Sequence, residues 1–147
     1  MIVVDASVLI AHLDDNDALH SRAVDALLAT AEQPLACSPI TLAEVLVGPA
    51  RAGRVRDART AVEDLGVVEL PLGDDAATRL ARLRAETGLK MPDCCVLLTA
   101  ENAQAEAVLT FDDRLAAAAT RRPSASAGGG TAVREGRRRR ARRPRPQ

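Results

Sequence analysis

Aromatic residues are almost absent from this sequence of 147 residues, in which Phe111 is the single one. The apolar residues, 47% of the chain, are mostly Ala, Val and Leu, so any core must be aliphatic. Single-stranded nucleic acids often bind by stacking their bases on several aromatic side chains. The composition excludes such a stacking platform, and any RNA recognition must use shape, phosphates and hydrogen bonds.

Long apolar runs and a disulfide framework are also missing. No run of 18 apolar residues occurs, and the first residues have no basic segment, so we expect neither a membrane span nor a signal peptide. The three cysteines are odd in number, and Cys94 and Cys95 are adjacent. Buried packing is the favoured interpretation of this pair, and the cytoplasm is the expected location.

Charge is balanced overall but unevenly distributed. Residues 1–120 contain 10 basic and 19 acidic residues, a net charge of −9, whereas residues 121–147 contain 10 Arg and one Glu, a net charge of +9. The second segment is rich in Gly, Ser, Pro and Arg and has no apolar face to bury. We therefore expect one folded domain over residues 1–120 and a disordered basic tail over residues 121–147.

Apolar strand-like segments alternate with helical patterns along the domain. Short buried strands are predicted at 2–4, 35–37, 67–70 and 107–111, separated by amphipathic or apolar helical segments. This alternation is typical of right-handed βαβ crossovers, which produce an α/β fold with a parallel sheet covered on both faces. We expect Ser7 to cap the first helix and Gly48-Pro49 to end the helix that begins at Pro39.

Four acidic residues are predicted to meet at one edge of this sheet. Asp5 and Asp112 follow strands directly, Asp93 lies at a helix start, and Glu44 lies on the helix after the second strand. Ligands of parallel α/β sheets bind beyond the carboxyl ends of the strands. Carboxylates gathered there repel one another, and a divalent cation such as Mg²⁺ or Mn²⁺ removes that cost and can activate water against a phosphodiester.

A structural role is the alternative for each of these residues. Asp112 is equally well explained as a helix N-cap, and Asp93 as a favourable charge in a first helical turn. Asp5 interrupts an apolar run, where a lone carboxylate is costly, and Glu44 is the only charge in an apolar helix. The case for a site therefore depends on the four acidic residues together.

Four segments of the chain resemble, in order and spacing, the motifs of PIN domains, specifically the VapC-type toxin nucleases of VapBC toxin–antitoxin modules. They cover residues 1–119 and read Val3-Val4-Asp5-Ala6-Ser7-Val8-Leu9-Ile10, Ser38-Pro39-Ile40-Thr41-Leu42-Ala43-Glu44-Val45, Met91-Pro92-Asp93-Cys94-Cys95-Val96 and Leu109-Thr110-Phe111-Asp112-Asp113-Arg114-Leu115. Each segment alone is short, but the ordered set is specific to the family.

The resemblance implies a three-layer α/β/α sandwich with a central parallel sheet of four to five strands. It also implies an endoribonuclease that depends on Mg²⁺ or Mn²⁺. Asp5, Glu44 and Asp93 would correspond to the catalytic acidic triad, Asp112 to a fourth acid, and Ser7 to a supporting polar residue. Asp5, Asp93 and Asp112 would hold the metal ion. The implied partners are an RNA substrate, a small antitoxin protein and a second copy of the chain in a homodimer.

The sequence departs from the family pattern after the last predicted helix. Only Thr131-Ala132-Val133 offers a stub of a fifth strand, and the Arg-rich tail is not a family feature. Asp113 is an alternative to Asp112 as the fourth acid. A non-catalytic PIN-like module that binds RNA or protein remains an alternative function. A phospho-acceptor receiver domain is disfavoured, because Lys90 is the only lysine and follows no predicted strand.

Other polar residues have two interpretations each. The arginines near residues 51–59 would bind RNA phosphates or form a solvated helix face, and we favour the latter. The two histidines would be general bases or surface residues, and we favour a surface role. These residues are Arg51, Arg54, Arg56, Arg59, His12 and His20.

Overall fold

The computed structural model describes residues 1–122, so the predicted tail and the possible strand at Thr131–Val133 lie outside the described residues. Four strands and seven helices make up this part of the chain. In chain order they are β1 (Ile2–Val4), α1 (Ala6–Leu13), α2 (His20–Ala29), β2 (Leu35–Cys37), α3 (Pro39–Arg51), α4 (Val55–Asp64), β3 (Val67–Glu69), α5 (Ala76–Thr87), α6 (Met91–Asn102), β4 (Ala107–Leu109) and α7 (Asp113–Arg121).

The four strands form one parallel sheet in the order β3-β2-β1-β4. Ile2 pairs with Leu35 on one side and with Ala107 on the other, so β1 lies at the centre. The carboxyl ends of all four strands therefore lie at the same edge of the sheet, as the predicted site requires. No helix in residues 1–122 has the length and apolarity needed to cross a lipid bilayer.

Helices cover both faces of the sheet and create two cores. Side chains alternate across a strand, so Ile2 and Val4 enter a core with α1–α4, while Val3 enters a core with α5–α7. Both cores are aliphatic apart from cysteines and the half-buried Phe111 at the margin of the first. This arrangement confirms the predicted three-layer α/β/α sandwich, with four strands in the described residues.

The prediction that Gly48-Pro49 ends the third helix is wrong, because α3 continues to Arg51 with Pro49 inside it. Proline disfavours helical backbone at the preceding residue through a clash that involves that residue's Cβ. Gly48 has no Cβ, so the clash is reduced and the chain completes one more turn. The next helix begins at Val55.

The first helix begins earlier than predicted. Asp5 is its N-cap residue by position, and no side chain caps it by a hydrogen bond, so the prediction of Ser7 as the cap is wrong. The Ser7 hydroxyl instead donates to the Asp5 carboxylate. The fourth strand also ends early, at Leu109, and this frees Thr110 and Phe111 for contacts with the start of α1.

Candidate active site

Three of the four acidic residues lie at or after the ends of β1, β2 and β4, and the fourth, Asp93, lies at the start of the helix that precedes β4. Asp5 directly follows β1, Asp112 is the N-cap of α7 after β4, and Asp93 is in the first turn of α6. Glu44 is on α3, which begins two residues after β2 ends. Because the strands are parallel, these positions share the carboxyl edge of the sheet.

Asp5 is the buried member of the group, with 6% of its surface exposed. Its Oδ2 accepts hydrogen bonds from the Ser7 hydroxyl at 2.6 Å and from the Thr110 hydroxyl at 2.8 Å. Each hydroxyl also accepts a backbone N–H, from Phe111 at 3.1 Å and from Asp112 at 3.0 Å respectively. These four bonds fix the carboxylate and tie the end of β1 to the turn after β4.

Glu44 and Asp93 are coupled electrostatically to Asp5. Burial raises the pKa of the Glu44 carboxyl above its ordinary value, and the charges of Asp5 and Asp93 raise it further, while Lys90 lowers it. Burial likewise raises the pKa of Asp93, with added repulsion from Asp5 and Asp112, opposed by Lys90 and Arg114. Glu44, Asp5 and Asp93 thus lie within range of one another's charge, and Asp112 lies within range of Asp93.

Asp112 has a structural role that does not exclude a second one. Its Oδ1 accepts the backbone N–H groups of Arg114 at 2.8 Å and Leu115 at 2.9 Å, which confirms the predicted N-cap. The side chain is exposed, and its charge reaches Asp93. Asp113 does not contribute to the raised pKa of Asp93, which favours Asp112 over Asp113 as the fourth acid.

The donor set suits a hard divalent cation, although no cage for one is preformed. In the described part of the chain, no three His, Cys, Asp or Glu side chains are placed to hold one ion together. Mg²⁺ is usually bound through one or two carboxylates and keeps several waters, so it needs no such cage. Asp5 offers a fixed carboxylate, and the half-buried Asp93 and exposed Glu44 offer oxygens whose mutual repulsion a cation relieves.

The two histidines and the arginines of the third and fourth helices lie elsewhere. The His12 and His20 rings stack with centroids 6.1 Å apart, and His12 lines a cleft with Pro34 and Leu35 at the amino end of β2, opposite the carboxylates. Burial and His20 lower the pKa of His12. Arg59 is paired with Glu63 and Glu69, as expected for a helix face.

The other arginines named with it remain at a distance from the acidic group. Arg51 follows Glu44 by seven residues, a rise of about 10 Å along α3, and Arg54 and Arg56 lie further along the chain and are exposed. All three cysteines are buried in the cores. Burial raises the pKa of the Cys94 and Cys95 thiols, consistent with the expected packing role.

Sequence analysis missed Thr110, Lys90 and Arg114. Thr110 donates to Asp5 across 105 positions of the chain, and the two cations lie among the acidic residues. Lys90 precedes α6 and Arg114 is in the first turn of α7, both beside a predicted acid. The available signals were therefore a hydroxyl and a cation within three residues of Asp112, and a cation within three residues of Asp93.

The raised pKa of Glu44 predicts an unusual dependence of stability on pH. The folded state holds this proton to a higher pH than the unfolded chain, so its contribution to stability is lost as pH rises above the ordinary pKa of 4.5. Without divalent ions, Glu44→Gln should become progressively more stable than the wild type between about pH 4.5 and 7. The gain should stay below about 1 kcal/mol, because the side chain is exposed.

Urea unfolding at several pH values measures this difference. Glu32→Gln is the matched control, since Glu32 is also exposed and lies at the far end of α2. Its stability difference from the wild type should not change over the same range. A constant difference for Glu44→Gln would contradict the coupling to Asp5 and Asp93.

Known proteins share sequence and fold features with this chain. A family profile described as PIN domain matches residues 2–120. A search of curated protein sequences finds no match. Three solved structures are similar in fold. Mycobacterium tuberculosis VapC20, described as a Sarcin-Ricin loop cleaving toxin, is 22% identical with a TM-score of 0.65, and the match covers 80% of this chain and 95% of that chain. A toxin–antitoxin complex from Klebsiella pneumoniae is 28% identical with a TM-score of 0.64, and the match covers 76% of this chain and 87% of that chain. PAE2754 from Pyrobaculum aerophilum is 24% identical with a TM-score of 0.53, and the match covers 84% of this chain and 86% of that chain.

Proposed function

Because this chain belongs to the PIN domain family, we propose that it is a metal-dependent endoribonuclease and the toxin component of a type II toxin–antitoxin system. One observation carries the proposal. A buried carboxylate, Asp5, is fixed by two hydroxyls at the carboxyl edge of a parallel sheet and is surrounded by acids that repel it. Mutually repelling carboxylates destabilise a fold, and such groups are typical of sites that bind a cation and an anionic substrate.

The proposed role of each acidic residue follows from its surroundings. Asp5 and Asp93, with support from Asp112, would hold Mg²⁺ or Mn²⁺, and the bound ion would supply a Lewis acid that lowers the pKa of water and offsets phosphate charge. Ser7 and Thr110 hold the Asp5 carboxylate in one orientation. Glu44, exposed on α3, accepts a hydrogen bond from the attacking water and aligns it with the RNA phosphodiester.

The partners follow from the family and from the relatives. The similarity to a Klebsiella pneumoniae toxin–antitoxin complex supports a small antitoxin protein as partner. We also propose a homodimer, an RNA substrate and a cytoplasmic location. The family match ends at residue 120, which supports a nuclease unit over residues 1–120 and a separate basic segment over residues 121–147.

Cleavage of RNA tests the proposal directly. The purified full chain is incubated with total cellular RNA and Mg²⁺ or Mn²⁺, and the cut ends are mapped. We expect internal cuts at a restricted set of positions, which also identifies the RNA class. Intact RNA in both metals, with a folded protein, would contradict the nuclease assignment.

A non-catalytic PIN-like binding module is the second candidate. It is favoured by the N-cap contacts of Asp112, whose Oδ1 already accepts two backbone N–H groups. Titration calorimetry with Mn²⁺ separates the two functions. The nuclease requires binding that is lost in Asp93→Asn, whereas the binding module predicts no heat that depends on the carboxylates.

A further inference from the structure

The two oxygens of the Asp5 carboxylate have different surroundings. Oδ2 accepts hydrogen bonds from the Ser7 hydroxyl at 2.6 Å and from the Thr110 hydroxyl at 2.8 Å. Oδ1 accepts no hydrogen bond from any group in residues 1–122. A carboxylate oxygen offers about two lone pairs, so two hydroxyls fill the acceptor capacity of Oδ2. The protein therefore uses one oxygen of Asp5 fully and leaves the other without a donor.

Oδ1 reaches the molecular surface although Asp5 as a whole is buried. Among the described residues, His12 Nδ1 is the only buried side-chain nitrogen or oxygen that lacks a hydrogen-bond partner. Oδ1 of Asp5 also lacks a partner, so it is not a buried atom, and it belongs to the 6% of Asp5 that is exposed. The oxygen without a donor is thus the oxygen that an ion from solvent can contact.

The turn after β4 fixes the direction in which the two hydroxyls donate. The Ser7 oxygen accepts the Phe111 N–H at 3.1 Å, and the Thr110 oxygen accepts the Asp112 N–H at 3.0 Å. A hydroxyl has a single proton, and with a backbone donor on each oxygen that proton is given to Asp5. Thr110 in addition links the Asp5 carboxylate to Asp112, the N-cap of α7.

We propose that Thr110, together with Ser7, makes Oδ1 the single oxygen through which Asp5 binds a divalent cation. The inference rests on the proposed metal-dependent function and assigns Thr110 to it as a positioning residue. Mg²⁺ requires nearly octahedral coordination and usually keeps several waters. A carboxylate that supplies one oxygen rather than two leaves one more position on such an ion for water or for a phosphate oxygen.

Calorimetric titration of the full chain with Mn²⁺ tests the role of Thr110 without any RNA. Thr110→Val keeps the size of the side chain and removes the hydroxyl. We expect the affinity for Mn²⁺ to fall about 10-fold to 100-fold, as is typical when a group that orients a metal ligand is lost. Thr110→Ser keeps the hydroxyl and should recover most of the affinity. Lower stability of Thr110→Val in urea together with wild-type affinity for Mn²⁺ would show that Thr110 serves folding alone.

Thr99→Val is the matched control. Thr99 is buried, and its hydroxyl also donates at 2.8 Å, but to the backbone carbonyl of Cys95 within α6. Its loss should lower stability and leave the affinity for Mn²⁺ unchanged, since this hydroxyl does not contact Asp5. Equal affinities for Thr110→Val and Thr99→Val would overturn the inference.

A crystal structure of the wild type with Mn²⁺ needs no variant and tests the assigned oxygen directly. We expect the ion to contact only the Asp5 oxygen that receives no hydroxyl, while the other oxygen keeps its bonds to Ser7 and Thr110. An ion held by both oxygens of Asp5, or by the oxygen that receives the hydroxyls, would refute the assignment. An ion bound elsewhere would refute it as well.

The inference and the proposed function fail in different ways. If Mn²⁺ binds through Oδ1 with an affinity that depends on the Thr110 hydroxyl, but the wild type cuts no RNA, the nuclease assignment fails and the inference stands. If the wild type cuts RNA and Thr110→Val binds Mn²⁺ as tightly as the wild type does, the nuclease assignment stands and the positioning role is wrong.

Discussion

Replacing Asp5 with Asn is expected to abolish RNA cleavage, with a fall in kcat/KM of about 10³-fold or more. A bound divalent ion contributes several kcal/mol to transition-state stabilisation, and each 1.4 kcal/mol corresponds to a factor of ten in rate. The substitution is nearly isosteric. An amide oxygen at the Oδ2 position still accepts the hydroxyls of Ser7 and Thr110, so the turn after β4 keeps its attachment.

The same variant should fold as well as the wild type or better. Asp5 raises the pKa values of Glu44 and Asp93 by repulsion, and a neutral amide removes that repulsion. Thermal unfolding in EDTA should therefore show an unchanged or higher Tm. Asp74→Asn, at an exposed aspartate in the turn before α5, is the control for a generic loss of one negative charge and should keep full activity.

Two results would contradict the role of Asp5. A stable Asp5→Asn protein with wild-type cleavage would exclude it as a ligand or catalytic group. An inactive variant with a strongly lowered Tm would indicate that the hydroxyl contacts serve folding and not catalysis. Ser7→Ala separates these cases, because it removes one hydroxyl and leaves the carboxylate in place.

Strand positions could be predicted from the sequence because each strand is a short apolar run between turn-forming or helical segments. Ile2–Val4 and Leu35–Cys37 have the predicted bounds. The order of strands could not be derived in this way. The run of apolar residues predicts that a strand is buried on both faces, but it does not predict that β1 lies between β2 and β4. The order β3-β2-β1-β4 required the coordinates.

Helix ends were harder to predict because two local preferences compete there. Gly48-Pro49 is a strong stop signal, but glycine lacks the Cβ that makes the residue before a proline unfavourable in a helix. Ser7 is a good capping residue by type, but its hydroxyl oxygen accepts the Phe111 N–H instead, and its proton is donated to the Asp5 carboxylate. In both cases a contact of one particular atom decides where the helix begins or ends. Residue preferences are averages over many proteins and do not include that contact.

The sequence predicted the acids of the candidate site and, through the family resemblance, Ser7 as a supporting residue, but not Thr110. Asp5 is conspicuous as a charge within an apolar run, and such a charge needs partners. Its partner Thr110 is 105 positions away, and only the pairing of β1 with β4 brings the two together. The N-cap role of Asp112 was predicted from the sequence and is confirmed, whereas its role as a metal ligand stays a prediction.

Removal of divalent cations should eliminate cleavage and lower the stability of the wild type. In EDTA no bound ion offsets the repulsion between the carboxylates of Asp5, Glu44 and Asp93, which Lys90 and Arg114 oppose only in part. Saturation to about 100 times Kd would stabilise the fold by about 2.7 kcal/mol. For a domain of this size, that corresponds to a rise in Tm of roughly 10 °C.

Differential scanning fluorimetry with Mg²⁺, Mn²⁺ and NaCl at matched ionic strength measures this effect. NaCl should give a much smaller rise, because it screens charge without binding oxygen ligands. Asp5→Asn and Asp93→Asn should lose most of the rise caused by divalent ions, while Asp74→Asn should keep it. Equal shifts in all four proteins would show that the ions act through general screening, and the acidic edge would then carry no specific metal site.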